Sequence, residues 1–215
     1  QYLTMAPDQR RKGEYNMARY TGPKDRLSRR EGVDLFGKGA KLTRLNVPPG
    51  VHGPKGSRNS SQYGKQLREK QKVKRLYGIL EKQFKRYVAD ALKSKGNTGE
   101  KLLTLLEKRL DNVIYRLGFA PTRHASRQLV SHRHVSVDGR KVNIPSFRVS
   151  IGQTVGLGGK ALEIPFVKKL LQEKDQKIPS WLEKKAAFVK VLREPTREDI
   201  IEPISEQDIV EFYSR

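Results

Sequence analysis

No cysteine occurs among the 215 residues. That excludes disulfide staples, thiol nucleophiles and cysteine-ligated zinc, and it fits a reducing compartment. Long apolar runs are missing as well. No stretch reaches the roughly 20 apolar residues that a membrane-spanning helix needs, so no membrane partner is expected. Residues 1–16 are polar and lack the apolar centre of a secretory signal, and Met17-Ala18-Arg19-Tyr20 reads as a second start. Acidic residues are scarce: 23 Asp and Glu stand against 45 Lys and Arg, a net charge of +22. Solubility does not require such an excess, and it points to a polyanionic partner. The apolar share, 35%, is low. The core is therefore modest, and part of the chain is expected to order on its partner. At this length one or two domains are expected.

What is present is most organised over residues 102–151, which read as helix, turn, helix and hairpin. Leu102, Leu103, Leu106, Leu110, Val113, Ile114 and Leu117 recur at steps of three and four, one face of a single helix. Lys108, Arg109, Asn112 and Arg116 lie on the other side. Gly118 ends this helix, since glycine adopts a left-handed cap at little cost. Thr122 is an N-cap for a second helix whose early turns hold Arg123, His124, Arg127 and Gln128. His132-Arg133-His134 follows. Asp138-Gly139 between alternating residues then signals a two-residue hairpin turn. The unit is expected to present two basic helix faces and a basic hairpin.

The flanks differ from this centre. Residues 1–60 are rich in Gly, Pro, Lys and Arg, which blocks long helices and strands. They read as a basic arm that lies along phosphates, in preference to a disordered tail; Lys24 to Arg30 starts a short helix within it. Residues 61–95 are helical. Ser61 caps a helix that is basic nearly all round, and Gly78 ends it. The next helix buries Leu80, Phe84, Tyr87, Val88, Ala91 and Leu92. Residues 96–101 form a loop at a candidate domain boundary. Residues 146–157 alternate as a third strand, Pro165 starts another helix, and Trp181 is a core anchor. From Glu194 to Arg215 seven acids face two arginines. Phosphates would repel this segment, so it should pack on the chain's own basic helices or meet a basic protein.

Catalysis finds little support. His52, His124, His132 and His134 are the four histidines. His132 and His134 could chelate a metal, but no carboxylate or cysteine completes the set, and stacking on RNA is the better reading. No nucleophile elbow, phosphate-binding loop or paired carboxylates occur. No cofactor, metal or catalytic residue is assigned.

Residues 106–120 (LEKRLDNVIYRLGFA), 127–132 (RQLVSH) and 142–146 (VNIPS) resemble the bacterial-type small-subunit ribosomal protein four family. So do residues 18–23 (ARYTGP), 68–72 (REKQK), 77–79 (YGI) and 211–215 (EFYSR). The resemblance spans about residues 18–215. The central unit alone is also similar to a module of some pseudouridine synthases, a tRNA synthetase and a heat-shock protein. The resemblance implies a primary rRNA binder that helps nucleate the small-subunit body and influences translational accuracy. It implies a cytoplasmic, ribosome-bound protein beside small-subunit protein five and, as a further candidate, protein three. Its implied location is close to mRNA where that strand enters the subunit. The implied fold is α+β: a helical domain from residues 61–100 and 165–215, an inserted RNA-binding domain over 101–164 with two helices and a short hairpin or sheet, and the arm over 1–60. Some members bind zinc through four cysteines; Asp25 and Ser28 stand at the first two of those positions, so zinc is not carried over.

Affinity is expected from Lys and Arg on phosphates, and specificity from RNA shape. The expected contacts are Arg19, Lys24, Arg29 and Arg30 in the arm, and Lys70, Lys72 and Arg75 as phosphate clamps. Arg109, Asn112 and Arg116 follow on the first central helix, then Arg123, Arg127, Gln128, His132, Arg133 and His134. The bland alternatives are a capping role for Asn112 and pairing with an acid for Arg109. Two rival functions remain. One is a free repressor acting on its own message. The other is an RNA-modifying enzyme, for which the chain lacks room.

Overall fold

The computed structural model describes residues 20–55, 60–173, 178–185 and 187–214. Helices α1 (Lys24–Glu31), α2 (Gln62–Leu76), α3 (Glu81–Lys93), α4 (Thr98–Glu107) and α9 (Glu206–Tyr213) surround one apolar cluster. It contains Val73, Leu76, Phe84, Tyr87, Val88, Leu102, Leu103, Leu106, Ile204 and Ile209. Ser61 caps α2 by accepting from the Gly64 N–H at 3.2 Å, and Gly78 leaves it at φ +62°. Asn97 caps α4 through the Gly99 N–H, so the helix starts inside the stretch expected to be a loop. On α3, Phe84, Tyr87, Val88 and Ala91 are buried; Leu92 is exposed at its end, and Leu80, expected in the same face, is the extended N-cap residue and is exposed too. The described part of the arm also supplies core: Leu35 is buried against this cluster. Arg29 braces the arm by donating to the carbonyls of Val47 and Pro48.

A second cluster forms around α5 (Leu110–Arg116), α6 (Arg123–Ser131), α7 (Gly159–Leu162), α8 (Pro165–Gln172) and a five-stranded antiparallel sheet. The strands are β1 (Val135–Val137), β2 (Arg140–Val142), β3 (Thr154–Leu157), β4 (Leu182–Lys185) and β5 (Phe188–Val191), in the order β2-β1-β3-β5-β4. Strand side chains alternate between faces, and Val135, Val137, Val155, Leu157, Val189 and Val191 all point into the core. The β1–β2 turn has Asp138 at φ +48° and Gly139 at φ +78°, the two positive values a tight primed turn requires. Trp181 is fully buried in this cluster. The architecture is α+β.

Three features depart from the sequence reading. The helix expected over 102–117 is two helices, because Arg109 is extended (φ −68°, ψ 134°). There the chain leaves its own ladder and pairs with residues 145–149: Leu110 N–H donates to the Phe147 carbonyl, and Val149 N–H to that of Lys108, each at 2.9 Å. As a result the third strand covers only Thr154–Leu157. Finally, α8 is followed by the β4–β5 hairpin, which joins the sheet through β3. The apolar clusters thus divide between Leu106 and Leu110, and α8, Trp181 and the β4–β5 hairpin lie with the sheet. Among the described residues beyond β5, Ile200, Ile204, Ile209 and Tyr213 return to the helical cluster.

Candidate nucleic-acid interface

The end of α6 is held by local bonds. Thr122 Oγ1 accepts from the Ala125 N–H at 3.2 Å and sets the start of the helix. Ser126, Leu129 and Val130 anchor one face. At the exit the N–H groups of His132, Arg133 and His134 donate to the carbonyls of Gln128, Val130 and Leu129. Arg133 sits at φ +61°, a conformation side chains seldom adopt, and this turns the chain sharply outward. His134 is half-buried, and its ring stacks with that of His132 at 6.4 Å between centroids. Gln128, His132 and Arg133 are exposed, as are Arg140 and Lys141 of the adjoining hairpin. Arg127 is half-buried and donates to the Gly78 carbonyl at 3.1 Å. A fixed, cationic edge with two stacked imidazoles is suited to phosphates and to unpaired bases.

Four expected contacts lie elsewhere, at the joint between the two clusters. Arg109 has no exposure; it makes a two-pronged pair with Asp111 (3.1 and 2.7 Å) and donates to the Tyr87 hydroxyl at 2.8 Å. Asn112 is buried and donates to the Glu107 carboxylate at 2.7 Å. Arg116 holds Glu107 through two nitrogens (3.0 and 2.7 Å) and reaches Glu202 at 2.7 Å. Arg123 also holds Glu202, at 2.6 Å, donates to the Asn112 side-chain oxygen, and stacks over Tyr115 at 4.4 Å. The face expected to meet RNA is therefore internal cement, and for Arg109 pairing with an acid is what the structure contains. Burial opposes the charge of Glu202, but Arg116 and Arg123 outweigh it and hold this carboxyl down at about 2. Burial, with Glu107 alongside, pushes the Tyr77 phenol well above its usual value, so it stays a donor to Glu107 at 2.6 Å.

The clamps expected on α2 are also occupied. Lys70 is buried, donates to Glu81 at 2.8 Å and lies 4.6 Å from the centre of the Phe212 ring. Lys72 is tied to Glu69 and to the Pro203 carbonyl, and Arg75 to Glu31. Burial raises the Glu31 carboxyl and lowers the Arg75 guanidinium, so desolvation weakens this pair from both sides. In the arm, Lys24 is half-buried over Phe36, Arg29 is used as a brace, and Arg30 is exposed beside a cleft of about 430 Å³ with His52 and Arg68. Arg19 lies outside the described residues. Asp25 pairs with Lys38, and Ser28 is buried, accepting from the Leu35 N–H. Among the described residues no group of three His, Asp or Glu could hold a metal ion. Lys82, Lys85 and Arg86 form an exposed basic side of α3 that sequence reasoning left out; their spacing opposite Phe84 and Tyr87 was the available signal.

The comparisons follow the same division. Residues 19–107 match the family model for the ribosomal protein S4/S9 N-terminal domain, and residues 108–155 match that for the S4 domain. The junction falls beside the break at Arg109. These matches define the class as a ribosomal-type amino-terminal domain followed by an S4 domain. Relatives called small ribosomal subunit protein uS4 align over nearly the whole chain. The Parabacteroides distasonis protein is 51% identical over 201 residues, covering 93% of this chain and all of the relative. That of Bacteroides thetaiotaomicron is 50% identical, and that of Geotalea daltonii 52%, with the same coverage. The chain belongs to the small ribosomal subunit protein uS4 family.

Proposed function

We propose that this chain is a structural, non-enzymatic constituent of the small ribosomal subunit that binds small-subunit rRNA. The observation that carries this is the contrast in how its cations are used. At the joint they are matched to acids of the same chain, whereas the edge of Gln128, His132, Arg133, Arg140 and Lys141 is exposed. Released counterions supply affinity there, and the fixed outward turn at Arg133 supplies shape. Built around two apolar clusters, the chain would help to nucleate the body of the subunit. Its neighbours would be small-subunit protein five and, as a further candidate, protein three, with mRNA close by at the mouth of its channel and cytoplasmic ribosomes as its location. In a sucrose gradient at moderate salt nearly all of the protein is expected to run with small subunits. A mostly free pool would instead support the reading as a free repressor of its own message.

A further inference from the structure

The outer face of the sheet carries an arrangement the core does not explain. Register places Lys141 opposite Ser136, Ser136 opposite Gly156, Gly156 opposite Phe188, and Phe188 opposite Lys185. These five residues form one row across all five strands. Val137, Val155 and Val189, next to three of them in sequence, are buried, so the row lies on the face turned away from the core. At about 4.8 Å per strand the row is roughly 19 Å long. Its one large apolar residue, Phe188, is 54% exposed. Gly156 accounts for the pose of the ring: a Cβ there would stand 2.6 Å from Phe188 Cδ1 and 2.7 Å from Cε1. The ring therefore lies down over the bare backbone of β3 and keeps its remaining surface in water. Lys190, exposed and opposite Thr154, adds a third cation beside Lys141 and Lys185. The acids beside these lysines are Glu183, opposite Lys190 and paired with Lys185 at 3.1 Å, and the exposed Asp138 of the β1–β2 turn, which accepts from the Thr154 N–H at 2.8 Å.

We propose that this face is a platform for single-stranded RNA, with Phe188 stacking on one unpaired base and the three lysines holding phosphates on either side. An aromatic ring on an antiparallel sheet, flanked by cations, fits unpaired nucleotides because every base has a π-face and the backbone between bases is anionic. The proposal rests on the rRNA-binding reading for the source of the RNA, but it assigns a surface centred on Phe188 that adjoins the edge around Arg133 and shares only Lys141 with it. A ring covering a glycine also steadies a sheet with no ligand at all, so the test must separate cover from stacking.

The test uses the full chain, labelled octaadenylate, and an RNA duplex as control, read by anisotropy over a salt series. Phe188→Leu keeps apolar cover on Gly156 and removes the ring. It is expected to weaken octaadenylate binding by roughly fivefold or more at every salt, with duplex binding unchanged. Phe188→Trp retains or tightens binding. Lys190→Ser makes the salt dependence for octaadenylate shallower by about 0.7. If Phe188→Leu binds octaadenylate as tightly as the parent, or if Phe188→Trp with an unchanged melting curve binds more weakly, the platform is overturned and the ring is sheet cover or a protein contact. Neither result touches the ribosomal reading, which falls only if the parent fails to run with small subunits.

Discussion

The joint between the two apolar clusters and the edge at the end of α6 are built from the same residue types, used in opposite ways. At the joint, Arg116 and Arg123 reach Glu202 across 86 and 79 residues of chain, and Glu107 accepts from Tyr77, Asn112 and Arg116. At the edge, Arg133 and Arg140 are exposed. A count of cations over residues 108–148 treats the two alike. Charge that is matched inside sets how the bodies fit together; charge left outside is available to a polyanion. Buried ion pairs add little net stability against an apolar alternative, but breaking one is costly, because the surviving charge stays buried. The joint thus fixes geometry, and the edge keeps its charge available for binding.

The largest effect should come from the joint. Glu107→Ala leaves Arg116 and Asn112 without their main acceptor in a site that is 1% exposed. A loss of about 3–5 kcal/mol in urea unfolding is expected. Arg133→Ala, with an exposed side chain, should stay within about 0.5 kcal/mol. Equal losses for the two variants would erase the distinction between the regions.

Signals carried by a few neighbouring residues were legible in the sequence. Thr122 and Ser61 cap their helices as read, Gly118 sits at φ +68°, Asp138-Gly139 makes the tight turn, and Trp181 is core. The acidic carboxy-terminal segment packs on the chain's own helices, one of the two outcomes its sign allowed: Glu202 takes Arg116 and Arg123, and Glu211 accepts from the Gln66 amide. Signals set by distant partners were not legible. The apolar steps run unbroken through Arg109, and only the pairing with residues 145–149 breaks the helix. The strands β4 and β5 are four residues each, too short for periodicity to separate them from loop, and β3 supplies the partner that makes them a sheet. The candidate site suffered most, since exposure of an arginine depends on whether some remote acid has already claimed it.

A smaller effect, visible only at low pH, tests the acid side of the joint. The folded value of Glu202, about 2, lies below its ordinary 4.5. Burial works against that direction, and the two arginines overcome it. Its contribution is therefore complete above about pH 4.5 and is lost as pH falls through about 2. Glu202→Gln should cost stability at neutral pH and flatten the acid limb between those values, so that parent and variant converge near pH 2. Parallel acid limbs in chemical unfolding would mean that Glu202 is ionised to the same extent folded and unfolded.

The smallest effect separates the regions by binding alone. Arg133→Ser and Arg140→Ser each remove one exposed cation from the edge. Each should reduce the salt slope for a small-subunit rRNA fragment by about one and weaken binding severalfold, leaving the melting curve unchanged. Arg109→Met, at the joint, should do the reverse. It lowers stability, because Asp111 loses its buried partner, and leaves the slope as it was in whatever fraction stays folded. The pair of measurements assigns each arginine to one role. An arginine that moved both slope and melting would belong to both regions, and the boundary between matched and available charge would have to shift to include it.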